Sequence, residues 1–277
     1  MLELILARPD GVAAPEDAPA VPDDAQVWCD WSGIPRAFGF TCDGHNWIRL
    51  PGVASFRFPP GGGWVEALAP EGAAREDIRE AFQRHVLPFA LQALGHELLH
   101  SSAVSTPRGA IGFCGSSGAG KSTLAYALGR RGYAPLADDA LQFERVDGAL
   151  HLIRLPFAIH ISNASLLDGG QAGGPKSAVP GSENEGDPVP LAGLFVVERL
   201  PEDSERGHEV VPLPHASAFP LLLYHAHCFS FREDARTRQM IERYLALAAE
   251  VPTFLIRYRP DFALLPAILD AVEQALA

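Results

Sequence analysis

The chain has 277 residues, 47% hydrophobic and 20% charged, an ordinary globular composition with length for one α/β domain and a small appendage. Its net charge of −12 repels nucleic acid and anionic membrane, and the only run of Lys/Arg is Arg130–Arg131. The N-terminus, "MLELILARPDG", carries Glu3 and lacks a signal-peptide pattern, and no run of about 18 apolar residues exists, so a cytoplasmic protein is expected.

Residues 1–70 are rich in Pro, Gly and aromatics. "WIRLPGVASFRFPPGGGWVEALAP" alternates short β-like runs with turn signals. Cys29, Cys42, Cys114 and Cys228 form no CxxC, and Cys29, Cys42 and His45 match no standard zinc spacing; buried thiols are expected. From Arg75 the period changes. Ile78, Phe82, Val86, Phe89 and Ala93 describe one buried helix face, kinked or split by Pro88. These textures predict a small N-terminal domain over 1–95, concerned with acceptor or partner choice or serving only to cover the core. A second, larger domain follows over 96–277.

In that second part "LLHSSAV" predicts a strand and "AIGFC" a second one. "KSTLAYALGRRG" predicts a helix stopped by Gly132. "YAPLADDALQFERV" reads as an apolar strand ending in paired acids, then another strand. "GALHLIRLPFAIHI" continues the β character. Residues 168–190, dense in Gly, Pro, Ser and acids, predict a mobile loop, which by its position after the acid-bearing strands is expected beside whatever site those acids serve. "LAGLFVVERL" is a strand, "ASAFPLLLYHAH" a helix, and Met240, Ile241, Tyr244, Leu245 and Ala248 mark one face of another. "TFLIRYR" predicts a strand, and a last helix faces the core through Leu265, Ile268, Leu269, Val272 and Leu276.

Between the strand and the helix lie Gly115, Ser116, Ser117, Gly118, Ala119, Gly120, Lys121, Ser122 and Thr123, which fit G-x-x-x-x-G-K-[ST] without a mismatch. The glycines let successive backbone N–H groups curl around a phosphate, and the helix N-terminus adds positive potential. Lys121 can reach the β- and γ-phosphates of a nucleotide, and Ser122 can offer a hydroxyl to Mg²⁺. Asp138 and Asp139 end the next apolar strand. Side chains alternate along a strand, so the two acids divide their labour: one orients the metal shell, the other accepts a proton from a hydroxyl. His100, upstream of the loop strand, is either a packed residue or a member of this site.

The combination of "LLHSSAV", "GFCGSSGAGKSTLAYALGRRGYAPLADD" and "FLIRYRPDF" resembles the HPr kinase/phosphorylase superfamily, most specifically over Leu99 to Val146. The resemblance implies an α/β fold, with a P-loop kinase core of the HPr kinase/PEP carboxykinase-like type and a small N-terminal α+β domain. It implies ATP and Mg²⁺ as cofactors, Asp139 as proton acceptor for a target serine, Asp138 and Ser122 at the metal, and His100 and Lys121 in the catalytic site. The acceptor it implies is a small protein or peptide, and a homo-oligomer is in keeping with the family's rings. The family's Glu-x-Arg-Gly segment has no counterpart in "HLIRLPFAIHIS" beyond Arg154, and the N-terminal part differs from that of true HPr kinases. The chain is more similar to stand-alone HPr-kinase-related proteins, including those that phosphorylate lasso-peptide precursors. Two alternatives stand beside a serine kinase: a kinase for a small-molecule hydroxyl, and a nucleotide-binding or NTPase module without transfer.

Overall fold

The computed structural model describes residues 3–6, 18–29, 33–155, 159–161, 177–179, 186–229 and 234–276. The chain divides into two compact units, Met1–His96 with His227–Glu233, and Glu97–Ala226 with Asp234–Ala277. The division at 96/97 is accompanied by a return of seven residues, 227–233, to the first unit, which no pattern in "HCFSFRE" announces.

The first unit is built on a six-stranded sheet of β1 (Glu3–Leu6), β2 (Gln26–Cys29), β3 (Pro35–Cys42), β4 (His45–Leu50), β5 (Ala54–Phe58) and β6 (Trp64–Leu68). Strands β2 to β6 form an antiparallel meander, and β1 closes the far edge parallel to β6. The β3–β4 register is set by Asp43 and Gly44, both at positive φ, 48° and 71°. That is the two-residue turn whose twist matches its strands. Cys42 and His45 are the strand residues flanking it. Of the thiols expected to be buried, Cys114 and Cys228 are, whereas Cys29 is exposed and Cys42 is half-buried against the cluster of Phe40, Trp47 and Leu68.

The helical stretch that follows is split, as Pro88 requires, but the break lies upstream of it. Helix α1 (Arg75–Ala81) runs into a π-helical turn, Phe82–Val86, and then α2 (Leu87–Ala93), with Pro88 in its first turn. Pro88 has no N–H to donate and its ring crowds the preceding turn; the wider π turn absorbs both demands. The extra residue advances the buried stripe by one. Ile78, Phe82 and Val86 are buried as expected, but Leu87, Ala90 and Leu91 then take the place of the half-buried Phe89 and Ala93.

The returning segment is bound into this unit by specific contacts. The Phe229 N–H donates to Gln92 Oε1 at 3.0 Å, and Gln26 Nε2 donates to the Cys228 carbonyl at 2.9 Å. Phe229 meets Phe58 edge-on at 5.6 Å.

The second unit is mixed α/β. Its sheet contains β7 (Glu97–Leu99), β8 (Ser101–Thr106), β9 (Gly109–Cys114), β10 (Pro135–Ala137), β11 (Leu141–Val146), β12 (Ala149–Ile153), β15 (Val189–Arg199), β16 (His208–Leu213) and β17 (Thr253–Tyr258). A separate two-stranded piece pairs β13 (Ile159–Ile161) with β14 (Ser177–Val179). Strand β9 is central, antiparallel to β8 and parallel to β15, which in turn runs parallel to β17. The helices are α3 (Lys121–Arg130), α4 (His215–Tyr224), α5 (Asp234–Glu250) and α6 (Leu265–Ala275).

One core gathers Val104, Ile111, Phe113, Phe195, Val197 and Ile256 from the strands against Leu124 and Leu128 of α3 and Ile268, Leu269 and Val272 of α6. This packing holds α3 across the end of β9 and so fixes the loop between them. On α5, Met240, Tyr244, Leu247 and Ala248 are buried, while Leu245 is exposed, which narrows the expected face. The Tyr244 hydroxyl donates to the Leu98 carbonyl at 2.8 Å. The expected loop 168–190 lies largely outside the described residues, which include only 177–179 and 186–190 of it.

Candidate active site

Strand β9 delivers the chain into the glycine-rich loop, and α3 receives it at Lys121. A Cβ at Gly115 would sit 2.8 Å from the Val197 carbonyl of β15, so no larger residue fits where the loop leaves the sheet. Gly120 has φ +102°, and a Cβ there would fall on the Tyr258 hydroxyl. That hydroxyl donates to the Ala119 carbonyl at 2.6 Å, so β17 pins the loop from below. Ser116, Ser117 and Gly118 are exposed at the loop's crest. Gly120 caps α3 with no side-chain hydrogen bond, so no side chain competes for the first backbone N–H groups of the helix.

Lys121 is 5% exposed, and its ammonium donates to the carbonyls of Gly115 at 2.8 Å and Ser116 at 3.2 Å. The charge is thus held beside the loop's own backbone. Ser122, one residue on, donates to Asp138 Oδ1 at 2.7 Å. The buried Ser102 of β8 donates to the same oxygen at 2.6 Å.

Asp138 and Asp139 diverge, but strand alternation is not the reason. Strand β10 ends at Ala137, and both acids lie in the bend that follows. Asp139 has a left-handed φ of +63°, a conformation that Asp tolerates better than most residues. Asp138 turns to the two serines, whereas Asp139 Oδ1 stands 4.0 Å from His100 Nε2. Both members of that second pair are about one-third exposed, open to an incoming group. His100 itself occupies a bend between β7 and β8 rather than a strand end. Its N–H donates to the His225 carbonyl at 2.7 Å, and Leu99 bridges Ala226 beside it. The structure therefore brings Lys121, Ser122, Asp138, Asp139 and His100 into one unit around the end of β9.

No protein-family model matches the chain. No curated protein matches it either. Among solved structures, the HPr(Ser) kinase/phosphatase from Coxiella burnetii is similar over 64% of this chain and 89% of that one, at 15% identity and a TM-score of 0.34. It is a distant structural likeness and assigns no residue a role.

Three residues at the site escape a reading of the sequence: Ser102, Tyr258 and His225. Ser102 hides in a run of small residues, and Tyr258 reads only as a strand residue. His225 follows the apolar α4 as a packed histidine would. It is buried, and burial together with the positive charge of Lys121 pushes its imidazole down to about 4 from 6.5, against an opposing pull from Glu198. The Cys114 thiol, at the end of β9, is pushed up to about 12 by burial and stays protonated beside the loop.

His225 makes the fold sensitive to mild acid. As pH falls, the unfolded imidazole takes up its proton near 6.5, the folded one only near 4. The unfolded state binds more protons in that window, so stability drops with pH. The loss is about 2 kcal/mol by about pH 5. Urea midpoints of wild type and His225→Gln should diverge less at pH 5 than at pH 7, because the variant lacks this component. Parallel pH dependence in the two proteins would refute the buried neutral imidazole.

Among the described residues, no helix is long and apolar enough to cross a membrane.

Proposed function

We propose that the second unit is an ATP-dependent kinase of the HPr-kinase-like type, transferring a phosphoryl group to a hydroxyl, foremost a serine of a small protein or peptide. The observation that carries the reading is the division of the two acids: Asp138 bonded to the Ser122 hydroxyl, Asp139 turned to His100. One carboxylate serves the nucleotide end and the other the acceptor end.

The loop N–H groups and Lys121 would hold the β- and γ-phosphates. A hydroxyl and a carboxylate are hard oxygen donors of the kind magnesium takes, and here they lie within hydrogen-bond distance of each other. Ser122 and Asp138 would hold the ion, which when bound offsets the negative charge of the transferring group. Asp139 accepts the proton of the acceptor hydroxyl as its oxygen bonds to the γ-phosphorus. The bond from that phosphorus to the bridging oxygen breaks, and ADP leaves. His100, 4.0 Å from Asp139, helps to orient that carboxylate.

The test is intact-mass analysis of peptides encoded beside the gene after incubation with the protein, ATP and Mg²⁺. A phosphate added to a serine-bearing peptide supports the reading. ATP turnover with no acceptor among peptides or small hydroxyl compounds would replace it with an NTPase, and binding without turnover with a nucleotide-holding module.

A further inference from the structure

We infer that Ser102 is a positioning residue for Asp138: a buried hydroxyl that fixes one carboxylate oxygen, so that the carboxylate keeps its place when Ser122 turns a lone pair to a magnesium ion. The inference rests on the phosphoryl-transfer reading above.

Ser102 lies on β8 directly opposite Phe113 of β9. The two-residue period of a strand puts it on the same face as Val104, which belongs with Phe113, Leu124 and Leu128 to the core beneath α3. This is an apolar neighbourhood, and Ser102 is fully buried in it. A hydroxyl there is costly unless bonded. Ser102 has one proton to give and gives it to Asp138 Oδ1 at 2.6 Å.

Ser122 donates to the same oxygen at 2.7 Å, and the two serine oxygens are 3.5 Å apart. The two donors are not equivalent. Ser122 sits in the first turn of α3 and is half-exposed, whereas Ser102 is sealed within the sheet. A hydroxyl that ligates a cation turns its oxygen lone pair to the metal and its proton away. As Ser122 offers that lone pair, Ser102 still bonds the shared carboxylate oxygen from the other side. Asp138 is 6% exposed, and a buried carboxylate loses stabilisation with each donor taken from it. Ser102 supplies the bond that stays.

Calorimetric titration of ATP into wild type, Ser102→Ala and Ser102→Thr, in EDTA and across a Mg²⁺ series, tests this. In Ser102→Ala the Mg²⁺ concentration for half-maximal enhancement of ATP binding should rise about 10–100-fold. Metal-free ATP binding should not change, and Ser102→Thr, which keeps the hydroxyl, should respond to Mg²⁺ as wild type does. If Ser102→Ala does not fold, Ser102→Cys replaces it; the thiol is a weak donor, and the same weakened Mg²⁺ response is expected. A wild-type Mg²⁺ response in Ser102→Ala, or in Ser102→Cys where that replaces it, overturns the inference and leaves the kinase reading standing. No Mg²⁺-dependent ATP binding in the wild type removes both.

Discussion

Lys121→Ala should reduce ATP affinity by about 100-fold, the effect of removing a charge-assisted contact to phosphate from the proposed nucleotide loop. Two losses combine. The ammonium is the positive side chain held within the loop, bonded to the Gly115 and Ser116 carbonyls. Taking it away removes the phosphate's counter-charge and strips those carbonyls of a donor. The rest of the site stays, because the loop is still pinned by the Tyr258 hydroxyl at Ala119 and by the packing of Leu124 and Leu128. Titration calorimetry with ATP and Mg²⁺ measures the loss, and an unchanged melting temperature without nucleotide shows that the fold is kept. An ATP affinity equal to wild type would mean that Gly115–Thr123 is not a nucleotide site.

Asp139→Asn should leave ATP binding intact and lower phosphoryl transfer by about 10²–10⁴-fold, the contribution of a positioned general base. A serine hydroxyl is a weak nucleophile at neutral pH, and Asn has the shape of Asp without its basicity. Backbone conformation matters here as much as basicity. Position 139 has φ +63°, and Asn is among the few residues that accept this conformation readily. The substitution therefore tests the proton acceptor without disturbing the bend. His100→Ala is the control, since the imidazole stands 4.0 Å from the carboxylate. Single-turnover transfer to an unmodified peptide that the wild type phosphorylates separates the two. Collapse in His100→Ala with normal rates in Asp139→Asn would move the base to the histidine.

What could be read from the sequence at this site is what short-range geometry controls. The spacing of Gly115, Gly120, Lys121 and Ser122 marks a loop between a strand and a helix because glycine alone fits where Val197 and Tyr258 press on the backbone. The acid pair is equally visible, but not the reason its members separate. That depends on where β10 stops pairing with β8, and hence on tertiary contacts. Ser102 is one of two adjacent serines in "LLHSSAV", and only the register against Phe113 and the cover of α3 single it out. Pro88 signals a broken helix, yet the residue it displaces is accommodated upstream, in the π turn at Phe82–Val86. Cys29 departs from the general burial of free thiols because its strand leaves that position exposed, and Cys42 is covered only in part, against Phe40, Trp47 and Leu68.

The return of residues 227–233 to the first unit imposes an order on biosynthesis. Translation delivers the six-stranded sheet and the α1–α2 pair first, but Gln26, Phe58 and Gln92 must wait for Cys228 and Phe229. By then the glycine-rich loop, the acid pair and His100 have all left the ribosome. The usual sequence, in which an N-terminal domain matures before its successor is made, is therefore closed to this chain. Its first unit cannot be finished until synthesis has passed Phe229, far beyond the strands and helices that unit began with.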